Sequence, residues 1–181
     1  MNWLITLFTT VLFVAAPATD NETIRWEESR PLTWEDFRGT PRQWGTYVAS
    51  TSSGISFSYS ISSSSSGLDL NYTVETLFYP GSSWYNPDQV DAYILRHEQT
   101  HFDISELHAR IFRKRLSQVD FDGNAEQLLS QMYEETEQAR QAMQRLYDKE
   151  TDHSNIREAE DRWVRYVAER LTEYERWKDP R

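Results

Sequence analysis

The chain has 181 residues, of which 38% are hydrophobic, and it contains seven Trp, ten Tyr and eight Phe. This length and aromatic content indicate one globular domain with a packed core and exclude an intrinsically disordered chain. The formal net charge of −10 at pH 7 disfavours nucleic acid or an anionic membrane surface as a partner. Because the chain has no cysteine, a disulfide framework and a thiolate metal site are both excluded.

Residues 1–18 are predicted to be a secretory signal peptide. An apolar run from Trp3 to Ala16 is too short to span a bilayer comfortably, and Ala16-Pro17-Ala18 has the small-x-small form of a cleavage site. No Lys or Arg precedes the run, which leaves a retained membrane anchor as the alternative. Residues 19–181 are then a single secreted or periplasmic domain, with no stable membrane association after cleavage.

Two segments with a two-residue hydrophobic period predict an antiparallel β-hairpin with a turn at residues 63–67. In the first segment, serines alternate with Ile55, Phe57, Tyr59 and Ile61. In the second segment, polar residues alternate with Leu68, Leu70, Tyr72 and Val74. Nearer the N-terminus, Thr33 followed by Glu35 and Asp36 predicts one helical turn that ends by Gly39.

Three helices are predicted to follow the hairpin. Asn86 as the N-cap and Pro87 at the first helical position mark the start of the first helix. Asp122-Gly123 ends it, and Asn124 can cap the second helix. A break at residues 147–155 precedes the third helix, which runs from Ile156 to about Trp177. The predicted class is therefore α+β, with a small antiparallel β-sheet followed by three helices.

The first helix contains His97-Glu98-Gln99-Thr100-His101, an H-E-x-x-H motif. Positions i and i+4 of a helix lie one turn apart on the same face, so both imidazoles can bind one metal ion with Glu98 beside it. This is the arrangement of a zincin-like active-site helix, and it predicts a Zn²⁺ site. The alternative is a chance occurrence of the motif on a polar helix face.

His153 is the predicted third zinc ligand. If the first two helices form an antiparallel hairpin that turns near residues 120–123, the chain leaves the second helix almost level with His97 and His101. Residues 147–155 then form a loop that can bend inward, and His153 is its only imidazole. Asp148 and Asp152 remain as alternatives, either as ligands or as groups that orient an imidazole, and Glu158 remains as an alternative ligand. A purely structural role for His153 also stays open.

Two further side chains are assigned roles on the assumption of hydrolysis at this site. Glu98 is the predicted general base, which takes a proton from the attacking water and delivers it to the leaving amine. Tyr147 is the predicted oxyanion stabiliser, with a packing role as the alternative. His108 is predicted to be structural or at the surface, because it lies about 16 Å along the helix from His97.

Four segments of the chain match a known pattern in combination: residues 32–39, Ser83-Trp84, residues 97–104 and residues 147–153. On these segments the sequence resembles a bacterial family of predicted secreted zinc-dependent proteases, catalogued as domain of unknown function 922. Thr100, where a small residue is usual, and Ser154, where glycine is expected, depart from the family pattern without touching a proposed ligand. The resemblance implies an exported zinc metallopeptidase that acts on a peptide or protein substrate.

Two other functions stay open at this point. The first is a hydrolase with the same zinc chemistry that acts on a non-peptide amide, for example in cell-wall material. The second is a non-catalytic binding module with a structural zinc ion. Three protein ligands and a water would indicate catalysis, whereas four filled coordination positions would indicate a structural site.

Overall fold

A small antiparallel sheet packs against three helices in the computed structural model, which describes residues 22–41, 47–64, 67–119 and 124–179. This arrangement confirms the predicted α+β class. The predicted signal peptide, residues 1–18, and the predicted break at Asp122-Gly123 lie outside the described residues. None of the helices formed by the described residues is both long and apolar enough to cross a membrane.

The main sheet is built on the predicted hairpin. Strand β3 (Ser53–Ser64) pairs antiparallel with β4 (Gly67–Phe78), and the short strand β1 (Ile24–Arg25) pairs with the other edge of β4. Ile55 and Val74 are buried on the face that meets the helices, as the two-residue period predicts. The strand order β1-β4-β3 leaves β3 at one edge of this sheet.

A second sheet of two short strands lies beside the main one. It consists of β2 (Ala49–Ser50) and β5 (Trp84–Tyr85), which pair antiparallel. Gly39 lies against the start of β5, where its N–H donates to the Ser83 carbonyl at 2.7 Å. A Cβ at this position would lie 2.8 Å from that oxygen, so the close approach requires glycine. The single helical turn predicted from Thr33 is present at Trp34–Asp36.

The three helices are α1 (Ala92–Leu116), α2 (Ala125–Thr151) and α3 (Arg157–Glu173). The predicted start of α1 is wrong, because Pro87–Gln89 form a separate 3₁₀ turn and Val90 is extended. Asp91 is the true N-cap, and its carboxylate accepts two backbone N–H groups of the first turn at 2.9 Å. The predicted start of the break after α2 is also wrong, since α2 continues through Thr151.

Helix α1 lies at the centre of the fold, and three groups of buried side chains surround it. The sheet packs on α1 and α2 through Ile55, Val74, Phe112, Leu129 and Met132. The N-terminal segment and the end of β4 pack on α1 through Leu32, Phe37, Phe78 and Phe102. The three helices meet at Ile104, Tyr147, Trp163 and Val167. The last group lies close to the H-E-x-x-H motif, so it fixes the motif relative to α2 and α3.

Candidate metal centre

His97, Glu98 and His101 lie on α1 and are all buried. The two imidazole rings are neighbours, with centroids 4.9 Å apart, as the one-turn spacing predicts. Both Nε2 atoms approach one oxygen of Asp148 on α2: the distance to Oδ1 is 3.3 Å from His97 and 2.9 Å from His101. Two nitrogen atoms and one carboxylate oxygen therefore converge.

These three side chains form a group that can hold a metal ion, since their ligand atoms all lie within 4.8 Å of one another. The group forms because α2 runs antiparallel to α1. Contacts between the helices pair positions that move in opposite directions along the chain: Arg115 with Glu135, His108 with Met143, and His101 with Asp148. The antiparallel packing of α1 and α2 that the sequence predicts is therefore present, and the predicted turn near residues 120–123 lies outside the described residues.

The protonation equilibria of the group link metal binding to proton release. Burial lowers the pKa of His97, but hydrogen bonds with Asp148 and Glu160 outweigh burial and raise it to about 9. Burial raises the pKa of Asp148, but hydrogen bonds with His101 and His97 outweigh burial and hold it below its usual range. The metal-free group is therefore a hydrogen-bonded ion pair, and a cation that binds there displaces its proton.

Glu160 of α3 fixes the far side of His97. Its Oε2 lies 3.0 Å from His97 Nδ1, and its Oε1 accepts the Tyr147 hydroxyl at 2.6 Å. A carboxylate in this position keeps the proton of the neutral imidazole on Nδ1 and leaves the Nε2 lone pair directed at the group. Glu160 is not among the site residues predicted from the sequence. The available signal was an acidic residue on the buried stripe of α3, between Ala159 and Trp163.

Tyr147 lies behind the imidazoles and is fully buried. Its ring stacks on His97 with centroids 4.6 Å apart and meets the edge of His101 at 5.1 Å. Burial and the charge of Glu160 raise the pKa of its hydroxyl far above the usual range, so the group stays a neutral donor. This placement favours the packing alternative, because an oxyanion stabiliser must donate its hydroxyl to the substrate and the Tyr147 hydroxyl donates to Glu160.

Glu98 has an unusual hydrogen-bonding state. Its Oε2 is the one buried side-chain nitrogen or oxygen atom that has no hydrogen-bond partner among the described residues. Leaving such an atom unsatisfied costs free energy, so it points to a partner that binds there, such as a water or an ion. The backbone at this position is fixed, because the Thr51 hydroxyl donates to the Glu98 carbonyl at 3.1 Å.

His153 lies beside the group but outside it. Its Nδ1 is 3.7 Å from Asp148 Oδ1, its side chain is 43% exposed, and its ring meets Tyr47 at 4.7 Å between centroids. The reason is the length of α2. Because the helix continues through Thr151, Asp148 and not His153 joins the group of converging atoms that could hold a metal ion.

The remaining candidates lie elsewhere. Asp152 and Glu158 are exposed, and neither belongs to the group of converging ligand atoms. His108 is buried farther along α1, with its Nε2 3.4 Å from the Met143 sulfur, which agrees with the structural interpretation.

The converging side chains fit a divalent cation. Three carboxylates surround the imidazole pair, those of Glu98, Asp148 and Glu160, and no Lys or Arg of the described residues forms an ion pair with them. A cation would offset this excess of negative charge and satisfy the convergent donor atoms. Two imidazoles and one carboxylate are ligands that transition metals bind readily.

An open cavity of about 310 Å³ borders Asp148. One wall is the link from β2 into β3, residues 51–53, and the other is a face of α2. The lining from α2 consists of Arg140, Gln141, Gln144, Arg145 and Asp148. A ligand that contacts the metal group from this side would therefore meet polar and cationic side chains.

The fold and the site together define an α+β protein with a histidine and carboxylate group, able to hold a metal ion, between two antiparallel helices. A family model described as a bacterial protein of unknown function, DUF922, matches residues 36–154, and the chain belongs to this family. The match includes all of α1 and α2 and ends before Glu160. No curated protein and no solved structure matches the chain.

Proposed function

We propose that the protein is an exported zinc-dependent metallopeptidase, with His97, His101 and Asp148 as the metal ligands and Glu98 as the general base. The observation that carries the proposal is the convergence of two Nε2 atoms on Asp148 Oδ1 beside the unpartnered Oε2 of Glu98. A zinc site with three protein ligands keeps a fourth position open for water or substrate. Export is supported by the apolar run that ends at Ala16-Pro17-Ala18.

The side chains of the site have different roles in the proposed hydrolysis. When bound, zinc would act as a Lewis acid that polarises the substrate carbonyl and lowers the pKa of the attacking water. Glu98 accepts the proton of the attacking water at its unpartnered oxygen and then gives that proton to the leaving amine. Glu160 and Tyr147 act as positioning residues, because Glu160 holds His97 through its Nδ1 and Tyr147 donates to Glu160 while its ring stacks on His97.

The substitution Glu98→Gln tests the proposal, because the amide keeps the shape of the side chain but cannot accept the proton. We expect peptide hydrolysis to fall by about 10²- to 10⁴-fold while the zinc content stays unchanged. Hydrolysis is measured by mass spectrometry on a peptide library, with and without a chelator, and zinc by elemental analysis. Glu134→Gln, at an exposed position of α2, is the matched control and should leave hydrolysis unchanged.

Two results would contradict the proposal in different ways. Full activity of the Glu98→Gln variant would show that Glu98 is not the general base. A wild-type protein that cleaves no member of the library, or that cleaves equally well in the presence of chelator, would contradict the proposed zinc peptidase function itself.

A further inference from the structure

The face of α2 that carries Asp148 also places two arginines at the adjoining cavity. The helix has six acidic residues and only three basic ones: Arg140, Arg145 and Lys149. Two of these three cations line the cavity beside Asp148. The cavity therefore carries two cationic side chains in a chain whose net charge is −10.

The two arginines differ in their partners. Arg140 is buried, and its Nε and Nη2 donate to the Glu137 carboxylate at 3.0 and 2.8 Å, so its charge is already paired. Arg145 is exposed, and it forms no hydrogen bond or ion pair with any residue that the structure describes. The cavity therefore presents one guanidinium with all its donors available to a ligand.

We propose that this cavity is a carboxylate-binding subsite, in which Arg145 binds an anionic group of the peptide substrate close to the hydrolysed bond. The inference rests on the proposed function and names its substrate class. A guanidinium group donates two parallel N–H groups to a carboxylate, which gives both charge and geometric selectivity.

The distance between Arg145 and the metal group fixes where the substrate carboxylate lies. Arg145 precedes Asp148 by three positions on α2, so their Cβ atoms are about 5–6 Å apart on the same helix face. An extended peptide advances about 3.3–3.6 Å per residue. Because the guanidinium extends several ångströms beyond the Arg145 Cβ, the carboxylate that it binds belongs to a residue within about four positions of the bond held at the metal group.

Such a carboxylate can be an Asp or Glu side chain or the free C-terminus of the peptide. The two sources share the chemistry that Arg145 recognises, and matched peptides separate them. The probes are N-acetylated pentapeptides with Glu or Gln at each position in turn, each made with a free and an amidated C-terminus.

Binding is measured by calorimetry on the zinc-loaded Glu98→Gln variant, which keeps the peptides intact. We expect the preferred carboxylate peptide to bind about 5- to 20-fold more tightly than the matched peptide in which that carboxylate is an amide, either Gln in place of Glu or an amidated C-terminus. Adding Arg145→Gln should abolish this preference, and Arg145→Lys should retain part of it. Arg165→Gln, at an exposed arginine of α3, is the control and should leave the preference unchanged. Zinc content should be equal in all four proteins.

The outcomes separate this inference from the proposed function. Equal binding of carboxylate and amide peptides, or a preference that survives Arg145→Gln, would overturn the subsite. A preference that depends on Arg145 in a protein whose wild type cleaves no peptide would support the subsite and overturn the peptidase function. Dependence on a free C-terminus would identify the substrate carboxylate as terminal, and dependence on Glu would identify it as a side chain.

Discussion

Two buried histidines of α1 have opposite electrostatic environments. For His97, burial lowers the pKa, but the Asp148 and Glu160 carboxylates raise it to about 9. For His108, burial and the charge of Arg140 lower the pKa to about 4, and only Glu137 acts in the opposite direction. In the metal-free protein at neutral pH, the first histidine is therefore charged and the second is neutral.

The neutral state of His108 predicts a loss of stability in acid. The ordinary pKa of an unfolded histidine is 6.5, so between pH 6.5 and pH 4 the unfolded chain binds a proton that folded His108 excludes. This contribution to stability is complete above pH 6.5 and is lost as the pH falls through that range. From pH 7 to pH 5, the wild type should lose about 2 kcal/mol more unfolding free energy than the His108→Leu variant.

The measurement is urea unfolding of both proteins at the two pH values, with a chelator present so that metal binding does not contribute. The difference between the two proteins isolates His108, because all other titrating groups are common to both. Equal losses in the wild type and the variant would show that folded His108 keeps an ordinary pKa.

At the scale of single residues, the sequence predicted the parts of the site that are close together in the chain. His97, Glu98 and His101 lie within two helical turns, so their spacing alone defines a common face. Glu160 lies on another helix, and nothing in its local sequence specifies His97 as its partner. Asp148 was kept as an alternative to His153, and its role depended on where α2 ends.

The turn from α2 into α3 holds strained backbone. Asp152, His153 and Ser154 have φ values of 48, 50 and 71°, in the left-handed region where residues with a Cβ are disfavoured. Several hydrogen bonds hold this turn, among them those from the Tyr93 hydroxyl to the Ser154 carbonyl at 2.7 Å and from the His153 N–H to the Asp148 carbonyl at 2.9 Å. The turn thereby places His153 at the rim of the metal group.

Relief of this strain predicts that Ser154→Gly stabilises the protein. Glycine adopts positive φ without a Cβ clash, and the hydrogen bond from Tyr93 is kept because it involves the backbone carbonyl. We expect a gain of about 1 kcal/mol in unfolding free energy. Denaturant unfolding should show a higher midpoint with an unchanged slope. Ser154→Ala is the control, and a glycine variant no more stable than the alanine variant would contradict this interpretation.

At the scale of elements, strands were predicted more accurately than helix ends. The hairpin follows from a two-residue period that any register slip would disrupt, so the sequence defines both strands. The helix ends depend on competing caps. Asn86 with Pro87 is a valid start signal, but it begins a short 3₁₀ turn, and Asp91 caps the long helix. The end of α2 carries no Gly or Pro, so its last turns could not be distinguished from a loop.

At the scale of the whole molecule, buried charged side chains hold the C-terminal half of α1. Glu106 accepts hydrogen bonds from Thr76 of β4 at 2.7 Å and from Arg110 at 2.9 Å, and Arg113 donates to the Val74 carbonyl at 2.8 Å. These contacts tie α1 to the sheet. Glu160 ties the motif to α3, so the sheet and α3 together fix the orientation of the imidazole pair.

The measurement that tests the account most directly is the zinc affinity of ligand variants, determined by competition with a chromophoric chelator. The wild type should bind about one zinc ion per chain. Asp148→Ala should weaken zinc binding by about 100-fold or more, whereas His153→Ala should change it by less than about threefold. Loss of zinc in His153→Ala with retention in Asp148→Ala would contradict the assignment of the third ligand. A wild type that binds no zinc would contradict the metal centre itself.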